Sequence, residues 1–227
     1  AIIFMNQPKV IDVHESIFAP NGREADDLRR ELKQNHTFLL NVRSSPGAGK
    51  TTLLINLINR RKSDFAIGVR EADIDSSVDA ISVAEKTGAK SIQVHTGGRC
   101  HLDATRTKEA ITALDEKGLD FLILENVGNL VCPAEFDTGA SRNRALLSIP
   151  EGDDKPEKYP LMFEKADVVV ITKRDTKEYF DFDFGFAEKW IKKRNPDSVI
   201  IKVSAKSNEG RDELAKFRKE KIERWNK

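Results

Sequence analysis

One glycine-rich segment, SSPGAGKT at residues 44–51, constrains the fold of this 227-residue chain more than any other. It follows an apolar run at residues 38–42 and precedes apolar residues at positions 53, 54, 57 and 58, which have helical spacing. A strand, a glycine-rich loop and a helix in this order form the context that a phosphate-binding loop requires. The segment therefore predicts a nucleotide site on an α/β scaffold.

Short apolar runs alternate with helix-patterned segments along the rest of the chain. Runs without polar alternation indicate strands that are buried on both faces. We therefore predict an α/β fold with a doubly wound, mainly parallel sheet, helices on both faces, and ligands beyond the carboxyl ends of the strands. The predicted strands are residues 38–42, 65–69, 92–94, 121–124, 146–149, 168–171 and 199–203.

The length favours one domain with an appendage, because 227 residues support one sizeable core but not two full-sized domains. We expect an N-terminal arm over residues 1–36, with a short amphipathic helix around Leu28 and Leu32, and a P-loop domain over residues 37–227. The arm is either a partner-binding segment or a packing element.

The balance of charge and the short apolar runs exclude several classes of protein. Lys and Arg total 38 against 37 acidic residues, so no net charge drives non-specific binding to nucleic acid or anionic membranes. No apolar run approaches the roughly 20 residues that span a bilayer, and the first residues lack the features of a secretory signal. We expect a cytoplasmic protein with no nucleic-acid or membrane partner. A disulfide framework is not expected from only two cysteines, so the question they raise is one of metal or redox chemistry.

The residues of the phosphate loop have separate roles. Gly47 and Gly49 let backbone N–H groups close around phosphate oxygens, helped by the positive end of the following helix. Lys50 would neutralise the β- and γ-phosphates, and Thr51 would supply a hydroxyl to Mg²⁺. Ser44 stands where the pattern has glycine, so a left-handed backbone there would be strained. The predicted loop contacts are Ser45, Gly47, Ala48, Gly49, Lys50, Thr51 and Thr52.

Two acidic residues follow predicted strands. Glu125 comes directly after the run at residues 121–124, and Asp73 follows the strand predicted at residues 65–69. Carboxylates at these strand ends would lie beside the phosphates, where they bind Mg²⁺ or orient the attacking water. We predict Thr51, Asp73 and Glu125 as magnesium ligands. The predicted catalytic residues are Lys50, Asp73 and Glu125.

A second pair of motifs predicts that the nucleotide is GTP rather than ATP. TKRD at residues 172–175 matches the base-recognition pattern NKxD, with Thr in place of Asn. The Asp175 carboxylate can accept hydrogen bonds from the guanine N1–H and 2-amino groups, whereas adenine has no such donor pair. SAK at residues 204–206 resembles the element that accompanies NKxD. The predicted base contacts are Lys173, Asp175, Ser204, Ala205 and Lys206.

The two cysteines lie in unusual segments, GGRCHLDA at residues 97–104 and ENVGNLVCP at residues 125–133. Cys100 and His101 would precede a helix, whose dipole favours thiolate over thiol. Cys132 is joined by a short segment to the acid that would sense the γ-phosphate.

Three soft or borderline ligands per subunit are one short of a tetrahedral metal site, so a water, His95 or a second subunit would have to complete it. The residues alone also allow a purely structural interpretation without metal binding, in which the cysteines are small buried hydrophobes and His101 is a helix cap.

CHLDA at residues 100–104, ENVGNLVCPA at 125–134 and EGDDKP at 151–156, together with the nucleotide motifs, resemble the hydrogenase nickel-incorporation GTPases of the HypB family. The resemblance covers nearly the whole chain, whereas the nucleotide motifs alone would indicate only the wider SIMIBI class of dimerising GTPases and ATPases. It implies a GTPase that assists nickel insertion during maturation of nickel–iron hydrogenase and forms a homodimer around GTP.

The resemblance also implies ligands and partners. Cys100, His101 and Cys132 would bind nickel or zinc at the dimer interface. The expected partner is a hydrogenase accessory protein of the HypA type, with the hydrogenase large subunit downstream. Since this sequence shows neither an N-terminal cysteine cluster nor a His-rich stretch, we expect nickel delivery rather than storage.

Alternatives from other classes stay open at this point. An ATP-dependent small-molecule kinase would transfer the γ-phosphate to an acceptor, and Asp175 argues against it. A related GTPase would serve urease or a cobalamin-dependent mutase, whereas a GTP-dependent interaction switch would have no metal function at all.

Overall fold

The computed structural model describes residues 9–12, 21–73, 78–96, 98, 101–113, 118–207 and 210–227. The strands are β1 (Lys9–Asp12), β2 (Phe38–Arg43), β3 (Ile67–Asp73), β4 (Lys90–His95), β5 (Phe121–Glu125), β6 (Arg142–Ser148), β7 (Val168–Thr172) and β8 (Val199–Lys202). The α-helices are α1 (Asn21–Gln34), α2 (Lys50–Arg61), α3 (Val78–Thr87), α4 (Ala104–Thr112), α5 (Cys132–Glu135), α6 (Lys155–Lys158), α7 (Pro160–Glu164), α8 (Phe184–Arg194) and α9 (Arg211–Asn226). Within these ranges, no helix has the length and apolar character needed to cross a membrane.

All pairs of neighbouring strands are parallel, in the order β1-β4-β3-β5-β2-β6-β7-β8. The doubly wound α/β prediction is confirmed, and the described sheet is wholly rather than mainly parallel. Strand β2 lies between β5 and β6, so the phosphate loop that follows β2 begins beside the carboxyl end of β5, whereas β6 continues past it to Ser148. Strand β3 also pairs with β5, and Glu71 is the register partner of Glu125.

The buried residues of β2 divide between the two faces of the sheet. Leu40 packs with Leu54 of α2 in one apolar cluster. Leu39 lies in a second cluster, with Leu28 of α1. Successive strand residues point to opposite faces, so an uninterrupted apolar run requires a helical layer on each side. The unalternated pattern of the sequence therefore reflects burial on both faces.

Several strands extend beyond the apolar runs that predicted them. Strand β3 covers Ile67–Asp73 instead of residues 65–69, and β6 covers Arg142–Ser148 instead of 146–149. The added residues include charged side chains that are buried inside the fold, such as Glu71 and Arg144. The backbone ladder continues through them, so apolar runs mark only part of a strand. Strand β1, which pairs with the edge of β4, was not predicted.

Helix α1 packs into the domain and connects two distant segments. The amphipathic helix predicted around Leu28 is present, and Leu28 is buried. At its start, the Asn21 side-chain oxygen accepts a hydrogen bond from the Ala104 backbone N–H at 3.1 Å. Farther along, Arg29 forms an ion pair with Asp137 in the loop after α5. The helix thus joins the start of α4 to that loop, whereas the boundary at residues 36 and 37 stays a prediction.

We expect Gly139→Ala to weaken the docking of α1. Gly139 has a φ of +73°, and a Cβ there would lie 2.8 Å from Leu28 Cδ2. Backbone strain and this overlap should lower the free energy of unfolding by about 1–3 kcal/mol in urea denaturation. Gly22→Ala is the matched control, because a Cβ at this position of α1 meets open space. Equal unfolding free energies for the two variants would contradict the proposed contact.

Candidate functional site

The phosphate loop has the backbone that its glycines predict. Gly47 and Gly49 have φ values of +73° and +92°, and α2 begins at Lys50. Ser44 is fully buried and is not among the residues with positive φ. The strain considered for a left-handed Ser44 therefore does not arise, and serine is accommodated at this position.

Ser44 instead holds the loop lysine. The Lys50 Nζ donates to Ser44 Oγ at 3.0 Å and to the Ser45 carbonyl at 3.5 Å. The Ser45 hydroxyl donates to Glu151, whose other carboxylate oxygen accepts from the Ser148 N–H at 2.8 Å. Glu151 belongs to the EGDDKP segment, so this segment supports the phosphate loop from the side of β6.

Three carboxyl groups meet at the far end of the loop. The candidate ligand oxygens of Glu71, Asp79 and Glu125 lie within 4.8 Å of one another. The Thr51 hydroxyl donates to Glu125 Oε1 at 3.3 Å. These side chains line a cleft of about 540 Å³ together with the glycines of the loop. Thr51 and Glu125, predicted separately from the sequence, are therefore brought together.

Burial raises the pKa of Glu71 well above the usual range for a carboxyl group, and the neighbouring Glu125 raises it further. Burial likewise raises the pKa of Glu125, while the Lys50 ammonium lowers it. Two carboxyl groups this close in the interior resist simultaneous ionisation. Without a cation, the pair therefore tends to retain a proton.

The cluster fits Mg²⁺, which prefers oxygen ligands. Glu71 Oε1 and Glu125 Oε2 are buried and have no hydrogen-bond partner among the described residues. Asp73 ends β3, and its side chain lies outside the described part. Sequence analysis missed Glu71 and Asp79, although a glutamate inside an otherwise buried strand was a usable signal for the former.

The segment that leads from Glu125 toward Cys132 lies against the phosphate loop. Asn126 donates to the Asn41 side chain at 3.2 Å, and its own side-chain oxygen accepts from the Val127 N–H at 2.9 Å. Beyond it, the Gly128 backbone approaches Pro46 so closely that a Cβ would lie 3.2 Å from the Pro46 nitrogen. The tight contact explains glycine at this position.

The two base motifs are also brought together. Asp175 Oδ1 accepts a hydrogen bond from the Ser204 hydroxyl at 2.5 Å, which orients a carboxylate that is otherwise exposed. The Thr172 hydroxyl donates to the Ala48 carbonyl at 2.7 Å. Threonine at the usual Asn position therefore ties the base loop to the phosphate loop. Lys173 has a left-handed backbone, with a φ of +57°.

Cys132 is the first residue of the short helix α5. Asn129 Nδ2 lies 3.8 Å from the Cys132 Sγ as a donor, and Asn129 Oδ1 accepts from the Cys132 N–H at 3.3 Å. Behind the helix, the buried Arg43 guanidinium donates to the Pro133 carbonyl at 3.2 Å. Burial lowers the pKa of Arg43 to about 10.

His101, another candidate metal ligand, lies near the start of α4. The helix is capped by Asp103, whose side chain accepts from the Arg106 N–H at 2.9 Å, so the alternative in which His101 is the cap is wrong. His101 instead stacks on Phe136, with ring centroids 3.7 Å apart. Cys100 and the side chain of His95 lie outside the described residues.

Comparison with known proteins identifies close relatives. Residues 38–202 match the family model for the CobW/HypB/UreG nucleotide-binding domain. The chain is 42% identical over 206 residues to the hydrogenase maturation factor HypB of Rhizobium leguminosarum bv. viciae, covering 91% of this chain and 69% of that protein. It is 39% identical over 217 residues to the hydrogenase/urease maturation factor HypB of Helicobacter pylori, covering 94% and 88%.

Solved structures of HypB proteins are also similar to this chain. HypB from Helicobacter pylori in complex with nickel has a TM-score of 0.85 and 38% identity, covering 91% of this chain and 96% of that one. HypB from Archaeoglobus fulgidus has a TM-score of 0.83 and 33% identity, covering 90% and 100%. The signal recognition particle receptor FtsY from Elizabethkingia anophelis, at 14% identity and a TM-score of 0.53, is similar in fold alone.

We expect Glu71→Gln to stabilise the protein at alkaline pH when neither nucleotide nor metal is bound. Burial holds the pKa of Glu71 above its unfolded value, so its stabilising contribution is complete below the ordinary carboxyl pKa and is lost as pH rises toward the folded pKa. Between about pH 5 and about pH 8, the free energy of unfolding measured in urea should therefore fall. The fall should be smaller in the variant, by on the order of 2 kcal/mol.

The exposed substitution Glu178→Gln is the matched control, and it should keep the pH dependence of the unchanged protein. A Glu71→Gln profile that coincides with this control would contradict the assignment of the pH dependence to the buried pair.

Proposed function

Because this chain belongs to the HypB family of CobW/HypB/UreG nucleotide-binding proteins, we propose that it is a GTP-hydrolysing metallochaperone that assists nickel insertion during maturation of nickel–iron hydrogenase. One observation carries the proposal beyond the family. The stretch from Glu125 to Cys132 is continuous and rests on the phosphate loop, where Gly128 contacts Pro46. A change at the γ-phosphate therefore reaches the Cys132 side chain through a short, packed piece of backbone.

In the proposed GTP complex, Lys50 exchanges Ser44 for the β- and γ-phosphates, and the loop N–H groups surround them. When bound, Mg²⁺ would offset the negative charge of the phosphates. Turnover is slow without a partner, as in switch GTPases generally. The proposed catalytic residues are Lys50, Asp73 and Glu125. The proposed magnesium site comprises Thr51, Asp73 and Glu125, with Glu71 and Asp79 added from the geometry.

The proposed metal site uses Cys100, His101 and Cys132. The chain forms a GTP-dependent homodimer, in which the second subunit completes a ligand set that is one short of tetrahedral in a single chain. Thiolate and imidazole ligands suit both nickel and zinc. The crystal structure of the Helicobacter pylori relative in complex with nickel supports nickel as the cargo. An accessory protein of the HypA type is the proposed partner, and the hydrogenase large subunit is the recipient, in the reducing cytoplasm where thiols persist.

Nucleotide binding is proposed to set metal affinity. The γ-phosphate orders the stretch that follows Glu125 and tightens the metal site, whereas hydrolysis relaxes it and releases the ion. Linkage requires that metal tightens GTP binding by the same factor.

We expect a non-hydrolysable GTP analogue to raise the nickel bound per chain, and Cys132→Ala to abolish the gain. Elemental analysis after dialysis against limiting Ni²⁺ measures both. His36→Asn is the control, because it removes an exposed histidine whose ring nitrogen contacts the Asn226 carbonyl, away from the candidate site. The analogue should still raise the nickel content of this variant.

Negligible nickel in every condition, and negligible zinc when Zn²⁺ replaces Ni²⁺ in the dialysis, would contradict the metal function and favour a GTP-dependent interaction switch. Nickel binding that is the same with and without the analogue would instead be compatible with the proposed ligands and would contradict the proposal that nucleotide sets metal affinity.

We expect Asp175→Asn to weaken GTP binding by about 10- to 100-fold, because the guanine N1–H and 2-amino groups lose a charged acceptor. Xanthine carries a carbonyl at the 2-position, to which the new amide can donate, so the affinity for XTP should rise. Equilibrium titration with GTP, ATP and XTP measures the three affinities, and the exposed Asp197→Asn serves as the control. Unchanged GTP affinity, or a preference for ATP in the unchanged protein, would overturn the assignment.

A further inference from the structure

The His101 and Phe136 side chains form a parallel ring stack. Their centroids are 3.7 Å apart, and the ring planes differ by 6°. His101 precedes α4, whereas Phe136 directly follows α5, the short helix that begins with Cys132. The stack therefore joins the two chain segments that carry the proposed metal ligands.

Stacking constrains an imidazole without blocking it as a ligand. The lone pair that binds a metal lies in the ring plane, so a phenyl ring stacked on one face does not obstruct the direction from which a metal approaches the imidazole. Contact over a whole ring face also restricts rotation about the histidine side-chain bonds. A ligand that is ordered before the metal arrives reduces the ordering cost of binding.

The platform for the stack is itself held in place. Arg43 is 2% exposed and donates to the Pro133 carbonyl at 3.2 Å, which anchors α5 to the end of β2. Asn129 hydrogen-bonds both the backbone and the sulfur of Cys132. The Phe136 ring therefore extends from a turn whose position relative to the thiol is defined.

We propose that Phe136 is a positioning residue of the metal site, which holds the imidazole plane of His101 at a defined place relative to Cys132. The inference rests on the proposed function, in which both residues bind the metal. Phe136 does not bind the ion itself. Because Cys132 begins α5 and Phe136 directly follows it, a movement of this helix displaces the thiol together with the ring on which His101 stacks.

The test compares nickel affinities of the full-length, reduced protein carrying Phe136→Leu or Phe136→Tyr. Competition with a chelator gives the dissociation constant, and the thiolate-to-nickel charge-transfer absorption reports the sulfur ligand. Loss of the ring should weaken nickel binding by about 10-fold, the range known for residues that orient metal ligands, with the sulfur band retained. Tyrosine keeps the stack and should restore most of the affinity.

Phe186→Leu is the matched control, because it removes a ring that packs on Trp190 in α8 instead. This variant should keep the nickel affinity of the unchanged protein. A Phe136→Leu variant that binds nickel as tightly as the control overturns the positioning role.

A double-mutant cycle separates positioning from a general loss of structure. If Phe136 acts through the imidazole, Phe136→Leu has no further effect on nickel affinity in the His101→Ala background. Equal losses in both backgrounds overturn the proposal, because the ring would then act independently of His101. A His101→Ala variant with unchanged nickel affinity overturns the ligand assignment as well, whereas a loss in His101→Ala without a loss in Phe136→Leu overturns the positioning role alone.

Discussion

The parallel pairing of β2 with β5 is the constraint on which the rest of the site depends. In this register Val42, near the end of β2, faces Glu125 at the end of β5. The phosphate loop and the stretch toward Cys132 therefore begin side by side at the same edge of the sheet. Ligand sites form at this edge in doubly wound folds because several loops converge there. The contact of Gly128 with Pro46 is a direct consequence of that geometry.

The same convergence concentrates charge in a poorly solvated place. Glu71 and Glu125 are almost fully buried, and their carboxyl groups share the cluster with Asp79. Buried carboxylates without a counter-charge are costly, so this cluster favours either a retained proton or a cation. The buried pair therefore lowers the free energy of unfolding of the nucleotide-free protein at alkaline pH.

Local motifs predicted much of the site but few of its contacts. SSPGAGKT, TKRD and SAK indicated the loop and the base site, because each motif encodes a short backbone and a side chain within a few residues. Thr172 looked like a departure from NKxD, yet its hydroxyl ties the base loop to Ala48. Ser44 looked like a source of strain, yet it adopts no positive φ and accepts a hydrogen bond from Lys50. The motif patterns did not contain these compensating contacts.

The sequence by itself determined the fold class, because short unalternated apolar runs that alternate with helix-patterned segments indicate a parallel sheet with helices on both faces. It also determined the position of the phosphate loop, whose residues are close together in the chain. Only the tertiary structure decided that Glu71 faces Glu125, that α1 joins α4 to the loop after α5, and that His101 stacks on Phe136. Such contacts depend on strand order and loop packing, which join residues far apart in the chain and leave no periodic signal in it.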